Sequence, residues 1–241
     1  MTISARSVLH QILKYMGVDI IRWYKVPENT LLGLTECNIR TVLDIGANVG
    51  QSARFYRQVF PDAMIYSFEP QLNAFAELEK WTQSQNGKAK ALNIALGDHD
   101  GMMTFKQHVD FSPSSSFLER TRHSAALFPQ TSRQKDVQVN VARLDEIAKS
   151  LELNAGVLVK MDVQGFEDRV IAGGRAVLSQ ALACIMEVSL QPLYDGQPSF
   201  KNLCDLMNEL GFEYAGNMLQ IYDEKGRVVY LDALFKKPGA L

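Results

Sequence analysis

The sequence predicts an α/β fold: an open, mostly parallel sheet with helices on both faces and an antiparallel strand pair at the C-terminus. Three observations predict it. From Thr41 onward, short apolar runs alternate with helix-length amphipathic segments. The first run is continuously apolar at its core, as a strand covered on both faces requires. Turn residues around Asp223 to Gly226 allow the last two strands to pair antiparallel.

Each element follows in order. Thr41 to Gly46 reads as the first strand, and a helix runs from about Gln51 to Phe60, stopped by Pro61. Met64 to Phe68 is strand two. The helix from Gln71 to about Gln85 carries Leu72, Phe75, Ala76, Leu78 and Trp81 as its apolar residues. Lys90 to Ala95 reads as strand three, and the turn cluster Gly97 to Gly101 joins it to a strand from Met102 to Gln107 as a hairpin. The polar stretch from about Asp110 to Asp136, with Ser112-Pro-Ser-Ser-Ser116, has the length of a functional or mobile loop. Val137 to Leu144 alternates like a strand, and Asp145 is placed to cap a short helix. Val157 to Asp162 is strand four, followed by Gly165 and a helix to about Leu178; Ala183 to Val188 is strand five. Ser199 caps a helix with apolar Phe200, Leu203, Leu206, Met207 and Leu210, closed by Gly211. Phe212 to Ala215 and Tyr230 to Phe235 complete the sheet.

With 241 residues, 46% apolar and 22% charged, the chain fits one domain, 36–241, preceded by a segment 1–35. Twenty-five basic against 27 acidic residues give a net charge of −2, so no global positive field exists to collect nucleic acid. Cys37, Cys184 and Cys204 are far apart and odd in number, which argues against a disulfide framework or a Cys-based zinc site and for reduced thiols in the cytoplasm. No stretch approaches the roughly 18 to 20 apolar residues of a membrane span. Arg6, His10 and Lys14 interrupt the N-terminus where a signal peptide would be apolar. Val8, Leu9, Ile12, Leu13 and Met16 share one helical face, suited to packing on the domain or covering an active-site mouth; a homodimer contact and a membrane-surface contact are the alternatives.

Chemistry concentrates at the strand ends, where open α/β sheets bind ligands. The first strand ends in Asp44-Ile-Gly-Ala-Asn-Val-Gly50, and Glu69 ends the second, about 20 residues after the glycine turn. An acid there suits the two hydroxyls of an adenosine ribose. The loop has Gly46 and Gly50 but no G-x-G-x-x-G, and Asp44 would repel a diphosphate. A cationic adenosine ligand without phosphate fits better, which describes S-adenosylmethionine.

Leu43-Asp-Ile-Gly-Ala-Asn-Val-Gly50 leads an ordered set of motifs. Ser67-Phe-Glu-Pro70 and Ala95-Leu-Gly-Asp98 follow, then the serine cluster and Leu144-Asp-Glu146. Val159-Lys-Met-Asp-Val-Gln-Gly-Phe-Glu167 and Ile185-Met-Glu-Val188 complete it. Together they resemble the FkbM family of S-adenosylmethionine-dependent methyltransferases, from about Thr41 to Phe235. The resemblance implies a Rossmann-like class I methyltransferase fold and O-methylation of a hydroxyl on a small-molecule or glycan acceptor. It places Asp44, Gly46, Asn48 and Gly50 around the methionine moiety, Glu69 on the ribose, Ala95 and Leu96 beside the adenine, and Asp162 facing the transferred methyl. The family pattern has an acid where Gln164 stands; glutamine keeps the hydrogen-bonding capacity but loses the charge.

A hydroxyl nucleophile must lose its proton as the new bond forms, so a base is needed. Asp162 is the first candidate, Glu187 the second and His108 the third. Glu167 reads as a solvated acid in a first helical turn, and His99 as a turn residue. No compact ligand spacing compels a metal. The residues leave other readings open: a nucleotide- or NAD-dependent enzyme, a methyltransferase for a non-hydroxyl acceptor, and a non-catalytic adenosine-binding protein.

Overall fold

The computed structural model describes residues 13, 15–16, 22, 25–131 and 133–239. The amphipathic face expected at Val8 to Met16 lies largely outside the described residues.

Seven strands form the main sheet in the order β3-β2-β1-β7-β8-β10-β9. They are β1 (Thr41–Ile45), β2 (Met64–Phe68), β3 (Ala89–Leu92), β7 (Val157–Met161), β8 (Ala183–Ser189), β9 (Glu213–Tyr222) and β10 (Val228–Lys236). The first five run parallel; β10 is antiparallel to both β8 and β9. Three further strands, β4 (Ala95–Leu96), β5 (Gly101–His108) and β6 (Gln134–Ala142), form a small sheet in the order β4-β6-β5.

Alternation on β1 explains the layering. Leu43 and Ile45 join one core with Val159, Met161, Met186 and Phe212. Val42, one residue away, joins the opposite core with Ile65, Leu158 and Ile185. Helices α4 (Glu167–Gly173), α5 (Arg175–Gln180) and α6 (Phe200–Glu209) supply the first core. Helix α1 (Gln51–Val59) supplies the second through Ala53 and Tyr56, and α2 (Leu72–Gln83) lays Trp81 against it. Leu31 and Leu34, from a 3-10 turn at Leu31–Glu36, are buried in this second core too. A strand sandwiched this way must be apolar on both faces, which is why β1, β7 and β8 read as continuous runs.

Five expectations need correction. Strand three does not run from Lys90 to Ala95: it stops at Leu92. The Asn93 amide donates to the Glu69 and Pro70 carbonyls, and the chain then enters the small sheet as β4. The expected hairpin is not formed either, because β4 and β5 both pair with β6, one parallel and one antiparallel. The helix after Gly165 is broken at Gly173 and Gly174, where a Cβ on Gly173 would lie 1.8 Å from the Gly97 carbonyl oxygen. Asp145 does cap a helix, but a distant one: its carboxylate accepts the Ala176 and Val177 amides at the start of α5. Leu72, expected on the apolar side of α2, is 72% exposed.

The Ser199 capping box with Asn202 starts α6 as its residue types predict. The stretch 110–136 carries more structure than its polarity suggests. It holds a 3-10 turn at Ser112–Ser114, helix α3 (Arg122–Leu127), a 3-10 turn at Pro129–Thr131 and the first residues of β6. No helix among the described residues is long and apolar enough to cross a membrane.

Candidate active site

Two cavities open at the carboxyl ends of the parallel strands, the first at β1, β2 and β7 and the second at β7 and β8. The first, of about 240 Å³, lies against the turn that follows β1. Gly46, Asn48, Glu69, Gln71, Ser112 and Asp162 form its polar side, while Ile94, Ala95, Leu96, Phe105 and Phe117 form an apolar wall. None of its lining residues is a lysine or arginine.

Backbone geometry shapes this cavity. Gly46 sits at φ +80, and a Cβ there would be 1.9 Å from the Asp162 carbonyl oxygen, so only glycine lets β1 and β7 end side by side. Asn48 occupies the left-handed region at φ +48, which asparagine tolerates better than most residues. Its amide proton goes to Glu69 Oε2 at 2.8 Å, and the Gln71 amide reaches Glu69 Oε1 at 2.7 Å. Burial nevertheless pushes the Glu69 carboxyl up to about 7 against these hydrogen bonds. Each oxygen keeps acceptor capacity for a further donor.

A serine strap ties the cavity to the rest of the fold. Asn48 Nδ2 donates to Ser112 Oγ at 3.1 Å, Gln71 Nε2 to the Ser112 carbonyl at 3.2 Å, and Ser115 Oγ to Gln71 Oε1 at 3.2 Å. Ser112 and Ser115 are thus held by Asn48 and Gln71, the residues that follow the first two strands.

The second cavity, of about 230 Å³, gathers His108, Asp162, Gln164, Glu187, Tyr194 and Tyr230, with Phe111 and Phe128 at its sides. All three candidate bases are therefore in one place, although they come from β5, the end of β7 and β8. Asp162 and Pro113 line both cavities. Gln164 Nε2 donates to Asp162 Oδ1 at 2.8 Å and to Glu187 Oε1 at 2.6 Å. Burial raises the pKa of both acids, and for Glu187 the neighbouring Asp162 charge adds to it. His108 Nδ1 is 2.6 Å from Ser114 Oγ, and burial followed by the Arg120 charge lowers the pKa of its ring.

Asp44 and Gly50 stand apart from the lining. Asp44 lies one layer below, on the α1 face of β1, buried beside Ser67 Oγ at 3.4 Å and opposite Lys160 in register. Burial pushes its carboxyl up to about 7. Gly50 caps α1 at φ +88, and a Cβ there would be 2.8 Å from Leu78 Cδ1, so it sets the spacing of α1 and α2.

Beneath the second cavity, Lys160 Nζ pairs with Asp232 Oδ1 at 2.8 Å. Burial works against the Lys160 charge, but Asp232 and Asp162 outweigh it and hold the ammonium above its ordinary range. Glu167 corrects the sequence reading: it is 3% exposed, accepts the Val163 and Gly165 amides, and is pushed up to about 7 by burial. The left-handed Gly165, two residues before it, turns it back over the loop. Among the described residues, no group of three or more His, Cys, Asp or Glu is placed to hold a metal ion.

Residues 44–214 match the model of the methyltransferase FkbM domain. The chain belongs to this family. It is also similar to the 2-O-methyltransferase NoeI of Sinorhizobium fredii (strain NBRC 101917 / NGR234), 28% identical over 188 residues, 73% of this chain and 74% of that protein. Among solved structures it resembles the methyltransferase FkbM from Methylobacillus flagellatus KT, with a TM-score of 0.49 and 14% identity. That match covers 82% of this chain and 43% of the other, so this chain spans less than half the length of that relative. A further likeness is to the magnesium protoporphyrin IX methyltransferase ChlM from Synechocystis PCC 6803 with bound SAM, with a TM-score of 0.48, 10% identity and 98% of each chain covered.

The main sheet, five parallel strands extended by an antiparallel pair with helices on both faces, is the Rossmann-like class I architecture expected of an FkbM methyltransferase. Tyr194 is a further polar group of this FkbM site, in the segment 189–198 where no sequence motif marks a functional residue. It lies far along the chain with no motif around it, yet its hydroxyl reaches Gln164 Oε1 at 2.7 Å.

Proposed function

We propose that this protein transfers a methyl group from S-adenosylmethionine to a hydroxyl of a small-molecule or glycan acceptor. One observation carries the reading: Asp162 lines both cavities and so stands at their partition.

The first cavity suits S-adenosylmethionine by the chemistry of its donors. Glu69 can accept the ribose hydroxyls, Gly46 and Asn48 lie where the methionine end would rest, and Ala95 and Leu96 belong to the apolar wall that would cover the adenine. Its acidic side complements a cation, and the absence of lysine and arginine from the lining disfavours a diphosphate. When bound, S-adenosylmethionine supplies an electrophilic methyl group on a positively charged sulfur.

The chain's own residues then align and deprotonate. Holding the acceptor oxygen in line with the methyl is worth roughly 7 to 11 kcal/mol in favourable cases. Asp162 receives the proton that the acceptor hydroxyl loses as it takes up the methyl, a contribution of about 10² to 10⁴-fold. Glu187 is the second candidate for that proton. His108 is the third, with one ring nitrogen already committed to Ser114. The likeness to a 2-O-methyltransferase supports a hydroxyl rather than an amine as acceptor. A cytoplasmic location accords with three cysteines that form no disulfide, and a net charge of −2 argues against nucleic acid as partner.

The test is incubation with methyl-labelled S-adenosylmethionine and a panel of sugars, polyols and phenols. Label recovered in an ether product supports the reading. Label in an amine or thiol product moves the acceptor class, and binding of S-adenosylhomocysteine with no transfer to any acceptor favours a non-catalytic adenosine-binding protein.

A further inference from the structure

We propose that Gln164 is a positioning residue: its side-chain amide fixes the Asp162 and Glu187 carboxylates against each other and sets how they share a proton. The proposal rests on the reading of Asp162 as proton acceptor.

The geometry of the amide carries it. Both N–H groups of Nε2 are used, one on Asp162 at 2.8 Å and one on Glu187 at 2.6 Å, while Oε1 accepts the Tyr194 hydroxyl at 2.7 Å. No other side chain type of this length offers two donors and an acceptor on one flat group. A glutamate here could donate once, and only when protonated. It would also set a third carboxylate against two buried ones, where like charges cannot all ionise. A glutamine keeps both donors at every pH.

The backbone is bent to deliver that amide. Gln164 lies in the left-handed region at φ +56, uncommon for a residue of its size, and Gly165 follows at φ +93. Ser116 Oγ donates to the Gln164 carbonyl at 2.7 Å and pins the turn to the serine strap. Local strain held by surrounding contacts is characteristic of residues whose position matters to function.

Other ionisable groups face the pair. Lys160 and Asp232 lie below it on β7 and β10, and Glu167 approaches from α4. Tyr194, Tyr230 and His108 share its cavity. Among the described residues, Gln164 alone hydrogen-bonds both carboxylates, and so converts their separation into a fixed bridge.

The full-length protein, carbon-13-labelled in its Asp and Glu carboxyls, tests this by NMR titration. Signals are assigned with Asp162→Asn and Glu187→Gln. Gln164→Glu should move the midpoint of the pair upward by about one pH unit or more. Gln164→Asn suits the left-handed turn better than glutamine but is one methylene shorter. It should lose the bridge and also move the midpoint upward, since hydrogen bonds to the charged form are withdrawn. A purely structural role in the turn would leave the midpoint unmoved in the asparagine variant. Titrations that superimpose on the wild type in both variants overturn the proposal. Calorimetry with S-adenosylhomocysteine on the same samples separates the two claims. Binding retained with an unmoved midpoint refutes the role of Gln164; a moved midpoint without binding in the wild type refutes the cofactor reading instead.

Discussion

The cavity at the glycine turn and the cavity at Gln164 share Asp162 yet draw on different parts of the chain. The first is made by backbone: Gly46 and Asn48 in the left-handed region, and the Asn48 and Gln71 amides converging on Glu69. Its main polar members come from residues 46–71, two adjacent strand ends. The second is made by side chains that meet only in the folded state: His108 from β5, Glu187 from β8, Tyr194 from the loop after it and Tyr230 from β10. A site built on backbone geometry serves a fixed ligand, whereas one built on side chains can be altered for a new acceptor without disturbing the turn. That contrast makes distinct predictions for the two halves.

The largest effect should come from Gly46→Ala. A methyl group 1.9 Å from the Asp162 carbonyl, at φ +80, forces the ends of β1 and β7 apart. Stability should fall by roughly 3 kcal/mol, and S-adenosylhomocysteine binding should be lost with it; denaturant unfolding and calorimetry read the two. A near-wild-type protein would show that the first cavity is not fixed by its backbone.

Asp162→Asn should divide the halves. The substituted amide fills the same space, so S-adenosylhomocysteine affinity should stay close to wild type while kcat falls by roughly 10² or more. Loss of affinity instead would place Asp162 in the binding shell of the first cavity. Full turnover would move the base to Glu187.

Glu69→Ala should act only on the first half, raising KM for S-adenosylmethionine by an amount worth about 1.5 to 3 kcal/mol with kcat little changed. It also leaves the Asn48 and Gln71 amides without their acceptor, so the melting temperature should drop in parallel.

The smallest effect is on pH. Burial holds Asp44, Glu69 and Glu167 at about 7 in the folded state. Between about pH 4 and pH 7 the folded protein therefore binds more protons than the unfolded chain, and this contribution is lost as pH rises. The buried Asp162 and Glu187 carboxyls, also raised, act in the same direction, and His108, lowered by burial, works in the opposite sense, one group against five. The ligand-free melting temperature should fall from pH 5 to pH 8, and Glu69→Gln should flatten the slope. A rise over that range contradicts the buried acids.

Sequence legibility follows the same divide. β1, β2, β7 and β8 were readable because burial on both faces writes an apolar run, and the Ser199 cap because its partner is three residues away. The glycine turn and Glu69 were readable because their spacing is local. The exit of β4 into the small sheet was not, since Asn93 bonding to Glu69 and Pro70 is a tertiary event. Nor was the burial of Glu167, which depends on the turn at Gln164 and Gly165 folding back over it, nor the cap that Asp145 places on α5 across 31 residues. The bridge from Gln164 to Glu187 spans 23 residues and leaves no periodic trace.

Calorimetric titration of the wild-type protein with S-adenosylhomocysteine, and separately with NAD, tests the central claim most directly. An acidic cavity at the glycine turn with no lysine or arginine in its lining should bind S-adenosylhomocysteine at one site per chain and give no heat with NAD. Binding of NAD with none of S-adenosylhomocysteine would contradict the account at its root.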